Sequence, residues 1–148
     1  MLPISSLEFC DLGDLEFGDF VFLRDLGNAP AFIGRTSFGL GAIRPDADGP
    51  QIDDLRRFYS RAVRVTGCQF ELDERSEIDP QTAIVGALHL YGADIALQAR
   101  NERGTAAYRI GNAPEPGPSR EVAFARWRLI TMVGQERVVV YERSGPTG

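Results

Sequence analysis

Short apolar runs broken by glycine, proline or asparagine constrain this chain more than any other feature. Within several runs apolar and polar side chains alternate with a period of two, as they do in half-buried β-strands. Glycine and proline between the runs supply turns. About eight such runs occur along the chain. The pattern predicts an all-β antiparallel barrel or sandwich with little helix.

Each apolar run predicts a strand that begins and ends with the run. Strands are expected at 19–24, 31–35, 38–44, 58–72, 82–91, 93–100, 105–110, 121–133 and 137–143. Hairpin turns are expected at 101–104 and 134–135. The other segments are a helical turn at 51–57, an acidic loop at 73–81 and a stiff proline-rich loop at 112–119.

Period two also assigns the faces of the expected strand 121–133. Arg126 and Arg128 share one face and are expected to point to solvent. Trp127 and Leu129 share the other face. They are therefore expected to point into the core.

Length and charge exclude several classes of protein. The 148 residues, 43% hydrophobic and 25% charged, fit one globular domain. The net charge is −5, and all 16 basic residues are arginine. An acidic chain with scattered arginines is a poor ligand for nucleic acid or an anionic membrane. Neither a signal peptide nor an apolar run of about 20 residues is present, so we expect a cytoplasmic protein.

Metal, nucleotide and serine-hydrolase chemistry also lack their sequence signatures. His89 is the one histidine, and Cys10 and Cys68 are the two cysteines, which are expected to be free thiols. These residues predict neither a multi-histidine site nor a zinc site. The sequence contains no G-x-G-x-x-G, Walker or G-x-S-x-G motif.

Two stretches together resemble a known family. The first runs through Phe17-Gly18-Asp19-Phe20, Arg24-Asp25, Ile33-Gly34-Arg35-Thr36-Ser37-Phe38-Gly39 and Ile43-Arg44-Pro45. The second is Phe124-Ala125-Arg126-Trp127-Arg128-Leu129. In this order they resemble the small β-barrel Diels–Alder cyclases of spirotetronate and spirotetramate biosynthesis, over about residues 15–133. The tyrosine of that family's Y-D turn is Arg24 here.

The resemblance implies a fold and an activity. The fold would be a roughly eight-stranded antiparallel β-barrel spanning 17–143, with residues 1–16 as an N-terminal arm or lid, in a single domain 1–148. The activity would be a cofactor-free, metal-free intramolecular Diels–Alder cycloaddition of a hydrophobic linear polyene, by a homodimer. Tyr59 and Trp127 would be catalytic. The candidate substrate-binding residues are Phe20, Phe58, His89, Tyr108 and Leu129.

Other functions compete with this hypothesis. One is a different cyclisation in polyketide biosynthesis, such as a hetero-Diels–Alder reaction or a spiroketal closure. Another is a lipocalin-like carrier without catalysis, in which Trp127 is an ordinary core residue. A third is a degenerate PilZ-like barrel, because residues 57–61 match half of a cyclic-dinucleotide motif, R-x-x-x-R. Residues 87–92 lack the polar residues of the other half, which disfavours dinucleotide binding.

Overall fold

Antiparallel β-strands make up almost the whole fold, as the alternating pattern predicts. The structure, a computed structural model, describes residues 7–10, 14–24, 27–45, 52–54, 62–112 and 117–143. Within these ranges there is no α-helix, and a turn of 3-10 helix covers Glu74–Ser76. The all-β antiparallel prediction is therefore confirmed.

The strands of the described ranges are numbered in chain order. They are β1 (Leu7–Cys10), β2 (Phe20–Leu23), β3 (Ala29–Thr36), β4 (Gly39–Ile43), β5 (Ile52–Asp54), β6 (Ala62–Val65), β7 (Gln69–Leu72), β8 (Glu77–Ile78), β9 (Leu88–Tyr91), β10 (Asp94–Asn101), β11 (Gly104–Asn112), β12 (Val122–Phe124), β13 (Trp127–Val133) and β14 (Glu136–Arg143). Both predicted hairpin turns are confirmed, because β10 joins β11 and β13 joins β14 at the expected residues.

These strands form three sheets. Sheet I has the order β1-β6-β2-β3-β4-β5, sheet II the order β11-β10-β9-β12-β8, and sheet III the order β14-β13-β7. In the part of the chain that is described, none of the three closes on itself. The expected arm at 1–16 contributes β1, which pairs with β6 at the edge of sheet I.

One hydrophobic core is shared by all three sheets. Sheet I contributes Phe20 and Phe32, sheet II contributes Leu97, and sheet III contributes Trp127 and Leu129. Arg126 and Arg128 are exposed, so the predicted inward face of this segment is confirmed. The inner faces of the sheets therefore meet in a common interior.

Sheet I is buried on its other face as well. Val21, Leu23, Ala31 and Ile33 alternate with the inward residues and form a second buried cluster with Ala42, Ala62 and Leu15. Burial on both faces explains why 20–23 is a continuous apolar run, without the polar residue that alternation would place at every second position.

Two expected strands are each divided between two sheets. Instead of one strand at 58–72, β6 lies in sheet I and β7 in sheet III, with Gly67 at φ +70° in the connection. Instead of one strand at 121–133, β12 lies in sheet II and β13 in sheet III. Ser76 stabilises the backbone between β12 and β13. Its carbonyl oxygen accepts a hydrogen bond from Ala125 N at 3.0 Å, and its hydroxyl oxygen accepts one from Arg126 N at 3.0 Å.

Three further segments differ from expectation. The expected strand 82–91 is a strand only over Leu88–Tyr91. Ile52–Asp54 is a strand paired with β4, where a helical turn was expected, and residues 55–57 lie outside the described ranges. The expected acidic loop contains the 3-10 turn and β8. At Ile52–Asp54 and at β8, tertiary pairing overrides the local sequence signal.

Gly34 sets the distance between sheets I and II. A Cβ on this residue would lie 2.5 Å from Ile43 Cδ1 and 2.7 Å from the carbonyl oxygen of Arg109. Because Arg109 is on β11, β11 can lie against β3 only when position 34 carries no side chain. The Ile-Gly dipeptide of the sequence motif is thus a packing requirement.

We predict that Gly34→Ala destabilises the fold by about 1–3 kcal/mol, because the new methyl group overlaps backbone that cannot move freely. Gly111→Ala is the matched control, since a Cβ there meets nothing within 4 Å. Urea unfolding of both variants measures the difference. Equal stability of the two variants would contradict the close approach of β11 to β3.

Candidate functional site

Five aromatic side chains form a closed ring of contacts between sheets I and III. The ring centroids are separated by 5.0 Å for Phe20–Phe32, 5.6 Å for Phe32–Phe70, 5.7 Å for Phe70–Trp127, 5.4 Å for Trp127–Tyr141 and 6.3 Å for Tyr141–Phe20. We call these residues the aromatic cluster. Such distances are those of rings in direct contact, so the rings fill the space that they enclose.

Trp127 is the anchor of the aromatic cluster. Its side chain is 1% exposed, and its indole Nε1 donates a hydrogen bond to the carbonyl oxygen of Gly86 at 2.8 Å. Gly86 has φ +91°, and a Cβ there would lie 2.4 Å from Nε of Arg143. Only glycine therefore fits at position 86, where the backbone packs against the Arg143 guanidinium and accepts the hydrogen bond from the Trp127 indole.

A cleft of about 490 Å³ opens beside Trp127. Leu72 and Trp127 supply its apolar wall, and we call it the arginine cleft. Its charged lining residues are Glu71, Asp73, Arg75, Arg126, Arg128, Glu142 and Arg143. Four arginines face three carboxylates, so the lining carries a formal charge of +1 in a protein of net charge −5.

Ion pairs order part of the arginine cleft. Arg126 Nε lies 3.2 Å from Asp73 Oδ2, and Arg128 Nε lies 3.8 Å from Glu142 Oε1. These side chains are about half exposed, so water screens their charges and each pair adds little stability. Arg143 instead donates from Nη2 to the carbonyl oxygen of Val85 at 2.9 Å. The arginines can thus exchange their partners for a bound anion at small cost.

A second cleft, of about 440 Å³, lies beside Phe20 and is lined also by Val65, Thr66 and Cys68. Arg64 Nη1 and Asp19 Oδ2 form an ion pair of 3.1 Å at its wall. Burial raises the pKa of the Cys68 thiol to about 11, and the thiol donates to the carbonyl oxygen of Val65 at 3.4 Å. Cys68 is therefore a protonated, weakly nucleophilic group at neutral pH.

The structure separates His89 from the other predicted site residues. Leu88 and Leu90 on β9 pack on the shared core, so His89 points to the opposite face of sheet II. Its imidazole is buried, with Nδ1 2.8 Å from Glu121 Oε1. Since a carboxylate only accepts, Nδ1 carries the proton. Nε2 has no hydrogen-bond partner among the described residues.

The other five candidate site residues fall into three groups by their position in the structure. Phe20 and Leu129 are each 2% exposed and belong to the shared core with Trp127. Tyr108 packs against the same core from β11, and its hydroxyl accepts from Asn101 Nδ2 at 2.9 Å. Tyr59 and Phe58 lie outside the described residues.

Three members of the aromatic cluster were not predicted as site residues. Phe32 pairs with Phe20 across β2 and β3, and Tyr141 stands opposite Leu129 across the β13–β14 hairpin. The hairpin turn at 134–135 alone would set Val140 opposite Leu129, and the bulge between the Ile130 and Leu129 pairs, which has no local sequence signal, places Tyr141 there instead. Phe70 comes from β7, whose pairing with β13 has no local sequence signal.

Comparison with known proteins places the chain in a family. Residues 28–146 match the family model described as uncharacterised protein y4lG. The chain belongs to this family. The part matched to the y4lG family includes Phe32, Phe70, Trp127 and Tyr141, and excludes Phe20. No curated protein and no solved structure matches the chain.

Two further properties of the described ranges bear on the site. No three or more His, Cys, Asp and Glu side chains in these ranges are grouped so that they would hold a metal ion. No helix there is long and apolar enough to cross a membrane.

We predict that Cys68 reacts slowly with iodoacetamide, because the thiolate is the nucleophile. At pH 8 the rate should be roughly 100-fold below that of an ordinary cysteine, and it should rise tenfold per pH unit up to pH 9.5 without a plateau. The measurement uses a Cys10→Ser background, with the same protein in urea as control. Equal rates in native and unfolded protein would contradict the raised pKa.

We also predict that Trp127→Phe destabilises the protein by about 2–4 kcal/mol, because it leaves a buried carbonyl unsatisfied and a void beside the ring. Phe38→Leu, at an exposed turn residue, is the control. Thermal unfolding compares the two. A Trp127→Phe protein as stable as the control would show that the bond to Gly86 contributes nothing.

Proposed function

We propose that the protein is a cofactor-free cyclase that catalyses the intramolecular Diels–Alder cycloaddition of a linear polyene polyketide. The observation that carries the proposal is the position of the aromatic cluster, which borders the arginine cleft at Trp127. An apolar conjugated chain and an acidic head group, such as a tetronate or tetramate, match these two adjoining surfaces. The resemblance of the sequence motifs supports the same reaction.

A β-barrel is part of this proposal. The three sheets turn their inner faces to one core, and β11 lies against β3, which joins sheets I and II along one side. A barrel of about eight strands has an interior just wide enough for one small ligand. The cleft of about 490 Å³ also falls within the size range of small-molecule sites.

The reaction places few chemical demands on the protein. Three π bonds of the diene and dienophile become two new σ bonds and one π bond, with no atom gained or lost. The barrier falls when the chain is held with its reacting ends close and aligned. In the proposed complex the polyene enters along Leu72 and Trp127, which line the arginine cleft, toward Phe70 and Tyr141, the half-buried members of the aromatic cluster, which do not line it.

Charged groups assist at the head of the substrate. The arginine cleft holds the acidic ring, and the Tyr59 hydroxyl, as the resemblance assigns, donates to the acyl carbonyl. Such a donor withdraws electron density from the dienophile. A preorganised hydrogen bond of this kind contributes about 2–4 kcal/mol to lowering a barrier.

A non-catalytic carrier of small apolar molecules is the second candidate. The buried residues of the shared core are all hydrophobic, which favours a carrier because they offer a bound molecule no group that could catalyse a reaction. A carrier binds the polyene without changing it, so product formation separates the two functions.

We predict that the protein accelerates cyclisation of a linear tetronate bearing an exocyclic alkene and a tethered diene. Chromatography with mass detection should show an isobaric product of one stereochemistry. Tyr59→Phe should slow turnover about 30- to 1000-fold, the loss of one preorganised donor. Tyr91→Phe is the matched control, since Tyr91 is 57% exposed at the end of β9.

The same experiment decides between the candidates. Failure to accelerate this tetronate and a second, structurally different polyene would overturn the cyclase proposal. Saturable binding of either polyene without product would then identify a carrier. A Tyr59→Phe rate equal to that of the control would remove Tyr59 from the reaction while leaving the cyclase intact.

A further inference from the structure

The edge strand β14 has a sequence that is complementary to itself. Its residues, Glu136–Arg143, read E-R-V-V-V-Y-E-R. One side of the strand pairs with β13, and within the described ranges the other side pairs with no strand. A row of unpaired N–H and C=O groups is a template for another strand. The free edge of β14 can therefore accept a further strand.

A second copy of β14 fits in one register. When two copies run antiparallel about a two-fold axis between Val139 and Val140, Arg137 stands opposite Glu142 of the second copy. Glu136 likewise meets Arg143, and Val138 meets Tyr141. All four charged residues stand opposite a residue of opposite charge, and Arg143 also donates from Nη2 to the carbonyl oxygen of Val85. In parallel alignment each would face its own like charge, so the charge pattern selects the antiparallel pair.

The bulge in β14 puts these partners on the same face. Leu129 stands opposite Tyr141 and Ile130 opposite Val139, so Val140 is an extra residue. Arg137 and Glu142 are five positions apart and would lie on opposite faces of a regular strand. With the extra residue they share the outer face, because their β13 partners Met132 and Arg128 are four residues apart.

Exposed apolar side chains lie beside this edge. Val139 is 46% exposed and Met132 is 47% exposed, and both are on the outer face of sheet III. Arg137 contacts Glu71, and Arg128 contacts Glu142, through side chains that are about half exposed. These charges remain accessible to a second copy, and Val139 loses water contact when the two strands meet.

We propose that β14 is a homodimer interface, in which two copies pair antiparallel to make one continuous six-stranded sheet, β7-β13-β14-β14-β13-β7. The inference is argued from β14 alone, although Glu142 and Arg143 of this strand also line the arginine cleft. It places Tyr141 of the aromatic cluster next to the two-fold axis, so the two cores of the dimer lie on either side of the joined strands.

Charge exchange tests the interface in the full-length protein. Sedimentation equilibrium from 1 to 200 µM measures the dimer dissociation constant. Arg137→Glu places like charges together at both ends of the pair, so the dissociation constant should rise tenfold or more. Glu142→Arg should do the same. In a background of Glu71→Gln and Arg128→Gln, which removes the contacts that Arg137 and Glu142 make within one copy, the double variant Arg137→Glu, Glu142→Arg restores both pairs and should return the constant to within about threefold of that of the background protein.

Arg126→Glu is the matched control. It makes the same change in net charge and breaks an ion pair with Asp73, but it lies outside β14. It should leave the dissociation constant unchanged, and circular dichroism confirms that each variant is folded. A monomer at 200 µM overturns the proposal. So does a dimer that Arg137→Glu and Glu142→Arg leave intact, or a double variant that stays dissociated.

Discussion

Contact between aromatic rings of sheets I and III is the interaction on which the rest of the structure depends. Phe20 and Phe32 come from the first third of the chain, whereas Trp127 and Tyr141 come from the last. Each ring buries a large apolar area, and each ring pair adds about 0.5–1.5 kcal/mol beyond that burial. The contacts thus join strands that no backbone hydrogen bond connects.

The chain moves between sheets at a few chemically distinct points. Gly67 turns the backbone from sheet I toward sheet III with a positive φ. Ser76, which is buried, uses both its carbonyl and its hydroxyl to hold the passage from β12 to β13. Ser76 therefore satisfies backbone groups that the break between β12 and β13 would leave without a partner. These points keep the inner faces of the three sheets directed at one core.

Alternation in the sequence was enough to predict the all-β class, both confirmed hairpins and the inward position of Trp127 and Leu129. Period two is a local property, and these features depend only on local geometry. It does not show where a strand leaves one sheet for another, so the breaks at Gly67 and Ser76 were missed. It also cannot pair Phe70 with Trp127, because that contact follows from long-range register. His89 was assigned to the site without knowing the face of β9.

The glycines of sheet I give the shared core a tapered cross-section. Gly34 and Gly41 are cross-strand partners on β3 and β4, and the next inward pair along the same strands is Phe32 and Ile43. Where the glycines meet, the main chain of β11 approaches sheet I much more closely than the usual spacing of about 10 Å between packed sheets. At the next inward pair, Phe32 and Ile43, the space between the sheets holds whole aromatic rings. The interior is consequently a wedge, whose narrow end is closed by backbone contact and whose wide end is filled by the aromatic cluster.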